Sequence, residues 1–133
     1  MSDNNKLPIA LFSLRVSVFL VMFMWTIDKF INPEHAARVY SKFYYLSDIG
    51  SGLFLVIGIL ELVVLIAFLV GYQKRLSYGI VFIFHAVSTF SAYKQYFDPF
   101  AAVNLLFFAA WPMLAACFAL YLLRDQDTLW SFR

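Results

Sequence analysis

The sequence predicts an all-α protein, an integral membrane four-helix bundle with a short interfacial helix between its first and second spans. Three observations predict it: 63% of the 133 residues are hydrophobic, only 14% are charged, and the apolar residues fall in four long runs instead of alternating with polar ones. An ordinary soluble domain carries about 45–50% apolar and about 25% charged residues. A chain of this length has too much surface to cover with so few polar side chains, so its solvent must be lipid. The net charge is only +2, and the ten Lys and Arg are scattered between the runs. No basic patch could follow a phosphate backbone, which excludes nucleic-acid binding.

Taken in order, the first span is expected over Ile9 to Phe30, about 33 Å of helix against a hydrocarbon core of about 30 Å. It is too long for the apolar region of a signal peptide and no small-residue cleavage site follows, so it is read as a retained anchor. The second span is expected over 49–72, the third over 76–93 and the fourth over 100–123, in one domain covering 1–133. Gly71 followed by Gln73, Lys74 and Arg75 makes the second and third spans an antiparallel hairpin, and Lys94 to Pro99 joins the third and fourth almost as tightly.

The longer connection from Asn32 to Asp48 opens with Asn32-Pro33-Glu34, a cap, a proline and an acid, which predicts a helix start. Tyr40, Phe43, Tyr44, Tyr45 and Leu46, mixed with Arg38 and Lys42, suit a helix lying at headgroup level, with an irregular aromatic loop as the alternative. Four spans put both termini on one side with Lys6, Lys74, Arg75, Arg124 and Arg133, against Lys29, Arg38, Lys42 and Lys94 opposite. The balance favours cytoplasmic termini in a bacterial inner membrane.

Ionisable groups at membrane depth are costly unless paired or hydrated, so each is a candidate for function. Glu61 and His85 lie near the centres of the second and third spans, almost equally far from the turn between them, so they can face each other. Such a pair could hold or pass a proton, or it could be an interhelical hydrogen bond that fixes packing. Arg15, Met22, Thr26 and Lys29 share one face of the first span, with Asp28 pointing elsewhere. Arg15 could approach Glu61, and both Arg15 and Lys29 could instead snorkel to headgroups.

Gly50, Ser51, Gly52 and Gly58 offer close helix approach, Gly58 on the Glu61 face. In the third span Val81, His85, Ser88 and Ala92 form the expected buried face. The fourth span adds Asn104 near its outer end and Trp111-Pro112 at mid-depth, where a proline kink could let the indole stack on a flat ligand or simply be filled by it. Aromatic residues make up 20% of the chain, which suits an apolar ligand and lipid contact equally. Cys117 is alone and reads as a packing residue, and no self-contained catalytic motif or metal-ligand cluster is visible.

Arg15 early in the first span, Asp28-Lys29-Phe30 at its end with Pro33 beyond, Gly58-x-x-Glu61 in the second span and a polar third-span face together resemble the DoxX-like family of small four-helix membrane proteins. The resemblance covers the whole chain through short, degenerate motifs, and departs from the family pattern in the first span, where glycines are lacking and Trp25-Thr26 stands instead. It implies a small membrane subunit of a redox-linked, quinone-associated system, acting with the bilayer and with redox partner proteins. Glu61, His85, Arg15, Lys29, Trp111 and Asn104 would bind a small apolar ligand or manage its proton, and a quinone is the candidate cofactor. The alternative is a non-catalytic interaction or assembly protein for other membrane proteins. A proton-coupled transporter ranks third, because four spans without internal repeats leave little for alternating access.

Overall fold

The computed structural model describes residues 3–45 and 51–132. The helix α1 runs Asp3–Ile31, α2 Pro33–Tyr44, α3 Ser51–Val70 and α4 Lys74–Ser91. A single turn, α5, covers Tyr93–Tyr96, then a 3-10 helix over Asn104–Ala109 leads directly into α6, Ala110–Leu122. Ile49 and Gly50, assigned to the second span, lie outside the described residues, as do Leu46 and Asp48 of the connection before it.

Three helical stretches are long and apolar enough to cross a membrane: Asn5–Ile31, Gly52–Val70 and Asn104–Leu122. The third expected span, α4, falls short because of its polar side chains, and the fold accounts for them. Ser77, Tyr78, Val81, His85 and Thr89 are the buried residues of α4, a stripe recurring every four positions that faces the neighbouring helices. Ser88 is exposed and Thr89 takes its place, because the stripe drifts around the helix as it rises. Around the bundle α1 packs on α3, α3 on α4, α4 on α6, and α6 closes the ring against α1.

The core sits toward the end of the ring marked by the α3–α4 turn, here the turn end. It consists of Leu11 and Val18, Leu65 and Phe68, Tyr78 and Val81, and Cys117 and Leu120, two residues from each helix. The turn itself is a helix stop of the expected kind. Gly71 takes a left-handed φ of 74°, the Tyr72 amide donates to the Ala67 carbonyl at 2.8 Å and the Gly71 amide to Phe68 at 3.2 Å.

At the opposite, elbow end, α1 breaks at Asn32 and α2 folds back beside the bundle. Asn32 stands at the cap position, yet its side chain does not cap α2; its amide donates to Asp28 Oδ1 at 3.3 Å. Pro33 starts the helix instead, with its ring fixing the first helical φ. The inward face carries Ala36, Tyr40 and Phe43, while Glu34, Arg38, Ser41 and Lys42 are exposed, the amphipathic division expected of an interfacial helix. Tyr40 meets Phe54 of α3 edge-on and Phe43 meets Phe107 of the 3-10 helix.

Pro112 stands midway along the helical stretch Asn104–Leu122, where the winding changes from 3-10 to α. It lies in the first turn of α6, where a missing N–H costs little, and the stretch before it is wound as a 3-10 helix. Gly58 provides the close approach expected of it, since a Cβ there would come within 2.7 Å of the Phe30 ring, whereas Gly52 faces open space.

Candidate functional site

Among the described residues two pairs of a lysine or arginine with a carboxylate tie α1 to the rest of the protein, and they differ in kind. At the turn end, Arg15 neither reaches Glu61 nor snorkels. Its guanidinium pairs with Asp127, Nη1 to Oδ1 at 3.2 Å, with the two side chains 1% and 0% exposed. Nη1 also donates to the Tyr78 phenol at 3.5 Å, and that phenol donates in turn to Asp127 Oδ2. Nη2 donates to the main-chain carbonyls of Leu129 and Trp130. The Nη1–Oδ1 contact has ion-pair distance without hydrogen-bond alignment, so Arg15 Nε and Asp127 Oδ1 are buried without a directional partner among the described residues.

This pair exists because the chain beyond α6 folds back as a strap across the turn end. The Phe132 amide donates to the Val70 carbonyl at 2.9 Å. Lys74 donates to the Asp127 carbonyl and to the Ser131 hydroxyl, the latter at 3.1 Å. The strap fits because Gly71 has no side chain: a Cβ there would stand 2.6 Å from that of Ser131. Burial pulls the Lys74 ammonium below its ordinary range, and the charge of Asp127 opposes that shift.

The second pair lies between α1 and the middle of α3. Lys29 Nζ donates to Glu61 Oε2 at 3.0 Å, and the Thr26 hydroxyl lies 3.1 Å from the same oxygen. That hydroxyl is also 2.9 Å from the Met22 carbonyl, so its single proton is divided between two acceptors. Lys29 and Glu61 come together because α1 and α3 are antiparallel and Phe30 seats on Gly58, one helical turn from Glu61. The Lys29 ammonium lies 5.8 Å from the centroid of the Tyr40 ring. Burial raises the pKa of the Tyr40 phenol, and the nearby Glu61 charge raises it further.

This site is not sealed. The Lys29 and Glu61 side chains are 9% and 21% exposed, and Glu61 Oε1 accepts no hydrogen bond among the described residues. The cluster therefore offers an ammonium, a hydroxyl and a half-engaged carboxylate beneath an aromatic ring. That set can donate to a carbonyl oxygen and accept from a hydroxyl.

The other candidates are employed elsewhere. His85 does not meet Glu61; its Nε2 lies 3.0 Å from the Ala110 carbonyl, so Nε2 carries the proton and the imidazole ties α4 to the start of α6. The Asn104 amide donates to the Asp98 carbonyl at 2.9 Å and closes the preceding loop. Trp111 packs against Phe90 and Tyr96, at centroid distances of 5.6 and 5.5 Å. Among the described residues no group of three or more His, Cys, Asp or Glu could hold a metal ion.

The chain matches no family model, and no curated protein or solved structure is significantly similar to it. Asp127, Tyr78 and the strap are the parts that sequence reasoning missed. The available signal was Arg15 itself: a buried guanidinium requires an acid, and Asp125 and Asp127 are followed by Leu129-Trp130, an apolar pair able to re-enter the protein.

Proposed function

We propose that the chain is an integral membrane protein that crosses the bilayer four times. On this reading Thr26, Lys29 and Glu61 bind the polar head of an apolar, membrane-dissolved ligand of the quinone class, as the membrane subunit of a redox-linked system. Four crossings are supported by the position of α4, which lies between α3 and α6 and turns its polar stripe inward. With Lys29 neutralised by Glu61, the elbow end keeps Arg38, Lys42 and Lys94 against Lys6, Lys74, Arg75 and Arg124 at the turn end. That difference favours a cytoplasmic turn end and cytoplasmic termini.

The contrast between the two ion pairs carries the ligand reading. Arg15–Asp127 is closed off and serves the fold, whereas Lys29–Glu61 is partly open and keeps one carboxylate oxygen for another partner. Lys29 would donate to a ring carbonyl, and Glu61 would accept the hydroxyl proton of the reduced form. The DoxX-like resemblance points to the same ligand class. Purification in mild detergent followed by mass spectrometry of bound neutral lipids tests the reading. A quinone-class lipid should accompany the native protein and be lost from Glu61→Gln, and its absence from the native protein would overturn the assignment.

A second reading, a membrane interaction or assembly protein, is favoured by one observation. Phe97 and Phe100 on the elbow-end loop are 86% and 87% exposed, more than any other large apolar side chains among the described residues. Loss of a co-purifying membrane protein on Phe97→Ser and Phe100→Ser, with no bound lipid in the native chain, would support it over the first.

A further inference from the structure

From the way α2 is attached, we propose that this helix is a hinged lid over the Lys29–Glu61 pair, swinging about Asn32 to admit the ligand head. The inference rests on the preceding reading for what enters and on geometry alone for the motion. Asn32 is the single residue between α1 and α2, with φ −127° and ψ 67°, values belonging to neither helix. An open cleft of about 490 Å³ lies at this elbow, lined by Ile31 to His35 and by Arg38.

The covering element is Tyr40. Its ring lies against the Lys29 ammonium on one side and meets Phe54 of α3 at 5.2 Å. Beyond that, Phe43 meets Phe107 of the 3-10 helix, Ala36 is the one fully buried residue of α2, and its outer face is charged. Helices held by few buried contacts are those that open locally at low cost.

Two polar latches hold the lid shut, one at each end. Beside the hinge, Asp28 of α1 bonds His35 of α2 through Oδ2 and Nδ1, and the imidazole is stacked on Trp25. At the far end the Tyr45 and Tyr93 hydroxyls are 3.1 Å apart, with the Lys94 ammonium near both rings. Both latches lie at the protein surface, where water can replace a broken bond. The Lys29 and Glu61 side chains are less exposed, at 9% and 21%, and the Tyr40 ring stands beside the ammonium. The lid thus narrows access to the charged pair and, by swinging, widens it from the elbow side.

The test uses a thiol beneath the lid. Phe54 is 1% exposed and lies under Tyr40, outside the binding cluster, so Phe54→Cys in a Cys117→Ser background reports opening through its rate of reaction with N-ethylmaleimide. Labelling should be faster than global unfolding, and Tyr93→Phe should accelerate it about two- to tenfold, the equivalent of one net hydrogen bond. Decylubiquinone should slow it. Acceleration by Tyr93→Phe without protection by decylubiquinone would keep the lid and refute the ligand reading. A labelling rate equal to global unfolding and indifferent to Tyr93→Phe would refute the lid. Should Phe54→Cys fail to fold, amide hydrogen exchange on the otherwise native chain separates the same outcomes: Tyr93→Phe should speed exchange in 33–44 and leave α3 and α6 unchanged, and uniform behaviour of all three would overturn the proposal.

Discussion

Replacing Asp127 with alanine should destabilise the protein by about 3–5 kcal/mol, the usual cost of leaving one member of a buried ion pair without its partner. The loss is large because the Asp127 carboxylate serves both the Arg15 guanidinium and the Tyr78 phenol. Only the side-chain interactions vanish in the variant, but Arg15 is then buried without its counter-charge. The strap should loosen with it, left with two arginine-bonded carbonyls, the Lys74 bonds to the Asp127 carbonyl and Ser131, and the Phe132 contacts with Val70 and Tyr72. Thermal unfolding in detergent measures the loss, and limited proteolysis after Arg124 measures detachment. Arg15→Met combined with Asp127→Leu should recover most of the stability, because an apolar pair of similar volume does not need the compensation that two buried charges do. A single Asp127→Ala variant as stable as the native protein would show that the strap is not held through this carboxylate.

The second large effect concerns the ligand. Glu61→Gln should weaken decylubiquinone binding at least tenfold, about 1.4 kcal/mol, and Lys29→Met should do likewise, because a charge-assisted hydrogen bond contributes about 1.5–3 kcal/mol. The glutamine keeps the size of the side chain and an acceptor oxygen, so the fold should persist while the attraction of Lys29 and the capacity to take a proton are lost. His85→Ala provides the contrast. Its imidazole is engaged with the Ala110 carbonyl between α4 and α6, so the variant should lose stability and retain affinity. Titration monitored by intrinsic fluorescence separates the three, and a His85→Ala variant with the larger loss of affinity would move the site away from Lys29–Glu61.

Which parts of this arrangement could be read from sequence follows the range of the interactions. The helix start at Pro33 and the stop at Gly71 are local and were legible from residue type and spacing, and Gly58 was legible as a point of close approach without its partner Phe30. The buried stripe of α4 was legible as a face, with a one-residue error at Ser88 that comes from its drift around the helix. Equal depth suggested that Glu61 and His85 could face each other, but depth carries no information about rotation. Each helix was free to turn its polar residue to another neighbour, and Glu61 turned to α1 while His85 turned to α6. Pro112 was visible as a breaker, yet its consequence depended on where α6 begins. Asp127 was hidden for a different reason: it belongs to a polar tail with no periodicity, and the guanidinium that recruits it lies near the other terminus.

The difference between a sealed pair that holds the fold and an open pair that meets a ligand can be tested with a hydrophobic carbodiimide. Dicyclohexylcarbodiimide partitions into the bilayer and adds to carboxyl groups it can reach there. Applied to the protein in membranes and read by peptide mass spectrometry, it should modify Glu61 and leave Asp127 untouched, with decylubiquinone slowing the reaction at Glu61. Modification of Asp127 with Glu61 unreacted would contradict the account.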